Sequence, residues 1–154
     1  MTTNVDAYDR LRLERQVCFT LSVASREIVA IYRPLLAPLG LTHPQYLVML
    51  TLWDTGKPIS IKQLSVRLQL EAPTLSPLLK RLQAAGLVER ERDPADERSL
   101  RVSLTEQGWA LREQAATVPD AVIDRLGMSL EQIQSLQDAL SEVIAHTREQ
   151  GAQD

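Results

Sequence analysis

The sequence predicts a mainly α-helical single domain that carries one small β-hairpin. Three observations support this. Apolar residues recur at helical spacing along most of the chain of 154 residues. The period switches to strand-like alternation only once, between Leu87 and Leu104. The length suits one domain, since domains usually run to roughly 100–200 residues. A chain this long buries most of its apolar surface without a disulfide framework or a metal staple.

Taken in order, the first helix is expected from Leu11 to Leu36. Leu11, Cys18, Leu21, Ala24, Ile28, Ile31, Tyr32 and Leu35 lie at helical spacing. Pro34 is expected to bend this helix near its end, and Pro38-Leu39-Gly40 to close it. A second helix runs from about Pro44, an acceptable first-turn proline, to Asp54. Gly56-Lys57-Pro58 is a turn, after which Ser60 caps a short helix, Ile61 to Leu68. Ala72 to Ala85 reads as helical despite two prolines, because Pro73 and Pro77 fall close to the first turn. Gly86 stops it. Leu87 to Arg92 and Leu100 to Leu104 read as strands, joined by the turn cluster Asp93-Pro94-Ala95-Asp96. Thr105 to Gly108 caps a further helix running towards Gly127, with a break near Pro119. Ser129 caps the last helix, which lines up Leu130, Ile133, Leu136, Leu140, Val143 and Ile144 on one side.

Composition excludes several function classes. Lys and Arg number 17 against 20 Asp and Glu, a formal charge of −3, so there is no polybasic coat, although local patches remain open. Aromatics make up 4%, which argues against a base-stacking platform. The one cysteine excludes an intrachain disulfide and an all-thiolate zinc site. There is no phosphate loop, no Gly-x-Ser-x-Gly and no metal-spaced cluster, so neither a cofactor nor an enzymatic activity is expected. A thiol peroxidase would also need a recycling route for its cysteine. The start, Met1 to Ala7, has no basic end followed by an apolar run, so no secretory signal is expected. The apolar stretches are too short to span a bilayer, and a lone thiol fits a reducing compartment. The expected address is cytoplasmic, away from membranes.

From Ser60 to Leu104 the order is short helix, turn, helix, hairpin. This is the order of a winged helix-turn-helix, in which one helix enters the major groove of DNA and the hairpin reaches the flanking backbone or minor groove. Thr74, Ser76, Pro77, Lys80 and Arg81 are candidate DNA-binding residues on the second helix, leaving Leu75, Leu78, Leu79 and Leu82 for the core. Arg90, Arg92, Arg98 and Arg101 gather on or beside the hairpin with Asp96. Residues 60–104 hold eight basic and six acidic groups, whereas residues 105–154 hold three basic and nine acidic. The plainer reading is that these arginines pair with Glu89, Glu91, Asp93, Asp96 and Glu97 on a solvated hairpin.

The runs Ser60-Ile-Lys-Gln-Leu64, Asp93-Pro-Ala-Asp-Glu-Arg98-Ser99 and Val102-Ser-Leu-Thr-Glu-Gln-Gly108 resemble the MarR family of bacterial transcription regulators. The Asp96-Glu97-Arg98 pattern sits at the wing as in that family. The resemblance covers nearly the whole chain and implies a homodimer on a palindromic operator in double-stranded DNA. It implies dimerisation helices over about 6–40 and 105–150, a winged lobe over about 44–104, and Arg98 as the wing arginine directed to the minor groove.

Leu13 to Phe19, Tyr32-Arg-Pro-Leu-Leu36, Leu41 to Leu50 and Thr74 to Arg81 are similar to the organic-hydroperoxide-sensing branch of that family, OhrR. The resemblance implies that Cys18 is the redox-sensing residue, with organic hydroperoxide as inducer. With no second cysteine the chain is similar to the one-cysteine type, so a sulfenic acid would be resolved by a low-molecular-weight thiol or a backbone nitrogen, or overoxidise. Tyr32 matches a tyrosine that, in this branch, hydrogen-bonds the sulfur of the partner subunit. Ser22 and His43 stand where tyrosines are usual, and Tyr46 is retained. Fourteen residues separate Cys18 from Tyr32, about 21 Å along one straight helix. The two cannot touch within one chain. Position alone would make Cys18 a buried small hydrophobe and the aromatics core residues with polar tips. The expected function is a repressor that leaves its operator when Cys18 is oxidised. The alternative is a MarR-type repressor released by a small aromatic or acidic ligand in the cleft between dimer and lobe.

Overall fold

The computed structural model describes residues 7–152. The opening segment, where no secretory signal is expected, lies outside the described residues up to Asp6. So does position 6 of the first dimerisation segment. Short 3-10 turns, Ala7–Leu11 and Leu13–Arg15, precede helix α1 (Val17–Leu36), and a third, Ala37–Leu39, follows it. Then come α2 (His43–Thr55), strand β1 (Ile59–Ser60), α3 (Ile61–Leu68), α4 (Ala72–Ala84), β2 (Val88–Asp93) and β3 (Asp96–Leu104). Helices α5 (Glu106–Ala115), α6 (Val118–Leu126) and α7 (Leu130–Gly151) complete the order. The class is the predicted one, mainly helical with a hairpin wing. The chain forms two compact units, one up to Val118 and one from Pro119.

The helix starts follow from local chemistry. Thr42, Ser60 and Ser129 each accept a hydrogen bond from the N–H of the residue three along, whose Gln side chain bonds back to the cap. These capping boxes satisfy donors that a helix start leaves open. The α1 start differs from expectation: the helix begins at Val17, not Leu11. The Gln16 side-chain amide donates to the carbonyls of Arg10 (2.7 Å) and Arg12 (3.0 Å). Those acceptors are occupied, and Gln16 itself is extended, so an α-helix cannot run through it. Pro77 is also not in a first turn. It is the sixth residue of α4, which continues through it, while Pro73 occupies the opening turn as expected. The break before α6 falls at Ala116–Thr117, and Pro119 is the second residue of α6, where its missing N–H is harmless.

The sheet has three antiparallel strands in the order β1-β3-β2. Val88 pairs with Leu104 and Glu91 with Arg101, and the register shifts at Arg92/Asp93. The unexpected strand β1 pairs Ile59 with Val102 and Ser60 with Arg101. Beneath the sheet, Leu64, Leu75, Leu79, Leu82, Val88 and Val102 are fully buried. Each such side chain contributes about 1.5–3 kcal/mol relative to exposure.

A weld joins the hairpin base to α5 and α2. Thr105 accepts from the Gly108 N–H (3.0 Å) and donates its hydroxyl to the Gly86 carbonyl (2.6 Å). Its N–H donates to the Leu87 carbonyl at 3.1 Å. The Trp53 indole N–H donates to the Gly108 carbonyl at 2.9 Å. A Cβ on Gly108 would overlap the Leu87 carbonyl oxygen. Glycine is required there for close approach rather than for backbone angle.

Within the second unit, α7 exposes Leu130, Leu136, Val143 and Ile144. Within the first, Leu11, Leu13, Val17, Phe19 and Leu21 are exposed around the start of α1.

Candidate DNA-reading surface and thiol site

Helix α4 divides into two faces. Leu75, Leu79 and Leu82 are buried and Leu78 is half-buried, while Thr74, Ser76, Pro77, Lys80 and Arg81 are exposed. The turn from α3 fixes how that exposed face is presented. Gln69 adopts a left-handed conformation at φ 55°, and the Ser65 hydroxyl donates to the Leu70 carbonyl.

The wing tip is organised by two aspartates. Asp93 accepts from the Ala95 N–H at 2.9 Å. Asp96 accepts from the Arg98 N–H at 3.1 Å, and Ser99 donates its hydroxyl to the Asp96 carbonyl. The aspartate-x-arginine pattern therefore has a local cause: the first residue fixes the backbone from which the third projects. Arg98 is exposed.

The other hairpin arginines are differently placed. Arg90 donates to Gln83 on α4 at 2.7 Å. Arg92 donates to the Glu97 carbonyl at 3.2 Å. Arg101 places Nε and Nη2 at 3.0 and 2.8 Å from one oxygen of Glu91. The plainer reading of paired hairpin charges thus describes Arg101. Among the described residues no ion pair holds Lys80, Arg81 or Arg98.

Cys18 is exposed. It is the second residue of α1, in a first turn whose N-cap provides no side-chain hydrogen bond. A helix start leaves several N–H groups without intrahelical partners, and they favour negative charge nearby. Ser22, one turn on, is also exposed.

Tyr32, His43 and Tyr46 come together where α1 meets the first turn of α2. The rings of Tyr32 and His43 lie 4.8 Å apart, tilted by 57°, and those of Tyr32 and Tyr46 lie 5.9 Å apart. Burial pushes both phenols above their ordinary range, and Tyr32 adds to the shift of Tyr46. Burial pushes the His43 imidazole below its usual 6.5. A groove of about 370 Å³ beside the cluster is lined by Val29, Arg33, Leu41 and His43. Cys18 and Ser22 are not part of this cluster. Helix α1 is continuous between Cys18 and Tyr32, which keeps them about 21 Å apart.

The direction of the His43 shift gives a stability prediction. The fold favours neutral imidazole, so the unfolded chain binds more protons once pH falls below 6.5. Stability is complete above that value and is lost on acidification. His43→Tyr is expected to flatten the dependence of the urea midpoint on pH below about 6.5. An unchanged slope would count against this burial argument.

A helix with one buried leucine face and one exposed polar face, held by a fixed turn and followed by an arginine-bearing hairpin, defines a winged helix-turn-helix regulator. Residues 41–100 match the MarR family, and the chain belongs to that family. It is 41% identical over 133 residues to the organic hydroperoxide resistance transcriptional regulator of Bacillus subtilis (strain 168), covering 86% of this chain and 90% of that protein. Its fold is similar to a probable transcriptional regulator from Pseudomonas aeruginosa (TM-score 0.77, 31% identity, 86% of this chain and 99% of the other). It is also similar to reduced AbfR bound to DNA, a Staphylococcus epidermidis protein (TM-score 0.73, 32% identity, 91% and 97% covered). The family and these relatives are regulators and not enzymes, as the sequence predicts. No helix among the described residues is long and apolar enough to cross a membrane.

Sequence reasoning missed Trp53 and the close approach at Gly108. The partners in both contacts lie far along the chain. A Thr-x-x-Gly run beside a strand was the only local signal.

Proposed function

We propose that the chain is a DNA-binding repressor that releases a palindromic operator when an organic hydroperoxide oxidises Cys18. The observation that carries this reading is the placement of the lone cysteine, exposed in the first turn of α1, in a chain 41% identical to an organic hydroperoxide resistance regulator. The thiolate attacks one peroxide oxygen; an S–O bond forms, the O–O bond breaks and the alcohol leaves with a proton. The sulfenic acid then condenses with a low-molecular-weight thiol, forming a mixed disulfide and releasing water. AbfR has been solved reduced and overoxidised on DNA and in a disulfide form. Redox chemistry in so similar a protein supports the reading.

The repressor is a homodimer on this reading. Residues 6–40 and 105–150 supply its interface and residues 44–104 its reading lobe. The exposed apolar residues beside α1 and along α7 support that, because such stripes are costly to leave in water. Tyr32, His43 and Tyr46 then face the partner's thiol rather than their own, with Ser22 beside the sulfur. The test is operator affinity before and after cumene hydroperoxide and after dithiothreitol. Loss on oxidation and recovery on reduction is expected; undiminished binding by oxidised protein would overturn the reading.

On the DNA side, Arg98 and Arg101 should behave differently. Arg98→Ala is expected to weaken operator binding about tenfold, the scale of one good base-edge contact. Arg101→Ala is expected to cost about twofold or less, because its guanidinium is already committed to Glu91. Equal losses in a gel-shift titration would contradict this assignment.

A further inference from the structure

The Tyr32–His43–Tyr46 cluster and the winged helix-turn-helix unit share one structural member, helix α2. Its first residue, His43, and its fourth, Tyr46, pack with Tyr32. Its eleventh, Trp53, is 6% exposed and hydrogen-bonds the Gly108 carbonyl on α5. Asp54 and Thr55, just beyond, accept from Arg67 of α3 at 2.6 and 2.8 Å. The Thr42–Gln45 capping box secures the other end. Along its length Val48, Met49 and Leu52 are buried to within 1%. Such a rod, about 20 Å long at 1.5 Å per residue, cannot bend locally without opening packed core, so displacement at one end is carried to the other.

At the far end the load passes through few polar contacts. Gly108 presents its carbonyl to Trp53 and its N–H to Thr105. Thr105 holds Gly86 and Leu87, which lead into β2. The indole N–H is thus the one hydrogen bond recorded from α2 to the α5–hairpin weld among the described residues. Apolar packing around it tolerates sliding, whereas a buried hydrogen bond has one good geometry and is costly to leave unmade.

We propose that Trp53 is a positioning residue whose bond to Gly108 transmits movement of the Tyr32–His43–Tyr46 cluster to the wing. This inference rests on oxidation-driven release and adds the route by which release occurs. Trp53 is buried on α2, and Cys18 lies on a different helix. Removing its N–H should spare reduced binding and weaken the response.

The experiment compares wild type with Trp53→Phe, which keeps an aromatic filler and removes the donor. The readout is the ratio of operator affinities before and after cumene hydroperoxide. The expected result is reduced-state affinity within about twofold of wild type and an oxidation-induced fold-loss at least threefold smaller. A purely structural role would lower affinity in both states and leave the ratio intact, which overturns the inference. A wild type that keeps its operator after oxidation overturns the repressor reading itself, and the two failures are thereby distinguishable. Should Trp53→Phe fold poorly, Trp109→Phe leaves Trp53 as the sole indole, at the cost of a residue that is 40% exposed. The Nε1–H resonance of Trp53 is then expected to shift on oxidation. An unmoved resonance alongside operator release overturns the proposal.

Discussion

Cys18→Ser is expected to bind operator within about twofold of wild type and to keep it in organic hydroperoxide, while wild type loses at least tenfold, about 1.4 kcal/mol. Serine preserves size and polarity but its hydroxyl does not enter the oxidation ladder of a thiol. The effect is large because the readout is geometric. Two reading helices must meet half-sites about one helical turn apart, so a displacement of a few ångströms breaks several phosphate and base contacts together. In the single chain Cys18 is exposed, in the first turn of α1. Gel-shift titrations with a sulfenic-acid trap followed by mass spectrometry supply both halves of the test. Equal loss in the serine variant would place the sensing chemistry elsewhere.

Gly108→Ala is expected to cost about 2–3 kcal/mol, the scale of overpacking in a tight interior. The added methyl would collide with the Leu87 carbonyl oxygen, a backbone atom that cannot swing aside. Relief requires α5 to move away from the hairpin, which strains the Thr105 and Trp53 hydrogen bonds as well. At roughly 2–4 °C per kcal/mol for a chain near this size, the melting midpoint should fall by about 5–10 °C. Gly151→Ala is the control, since nothing lies within 4 Å of its Cβ position. A Gly108→Ala midpoint matching the control would remove the close-approach argument.

What could be read in advance divides along the range of the forces involved. The caps at Ser60, Thr105 and Ser129 act within three residues, and each helix starts where its cap predicts. The two faces of α4 followed from leucine spacing. Strand β1 was invisible, because two residues carry no period and its partners, Arg101 and Val102, lie about forty positions away. The start of α1 was misread because Gln16 competes for carbonyls that periodicity alone leaves to a helix. The pairing of Arg101 with Glu91 depends on hairpin register, which composition does not encode. At the thiol site, Cys18 stood out as the single cysteine. The grouping of Tyr32 with His43 and Tyr46 came through family resemblance, since no spacing along α1 and α2 reports that their rings meet.

The acidic tip of the wing has a kinetic consequence. A carboxylate repels phosphate, yet Asp96 accepts from the Arg98 backbone N–H and Asp93 does the same for Ala95. The tip is therefore shaped before any encounter. Less backbone ordering entropy remains to be lost on binding, so, should Arg98 read DNA as proposed, a larger share of collisions would find its backbone already in place. On the proposed function, the aspartates would trade a little electrostatic attraction for a faster productive encounter.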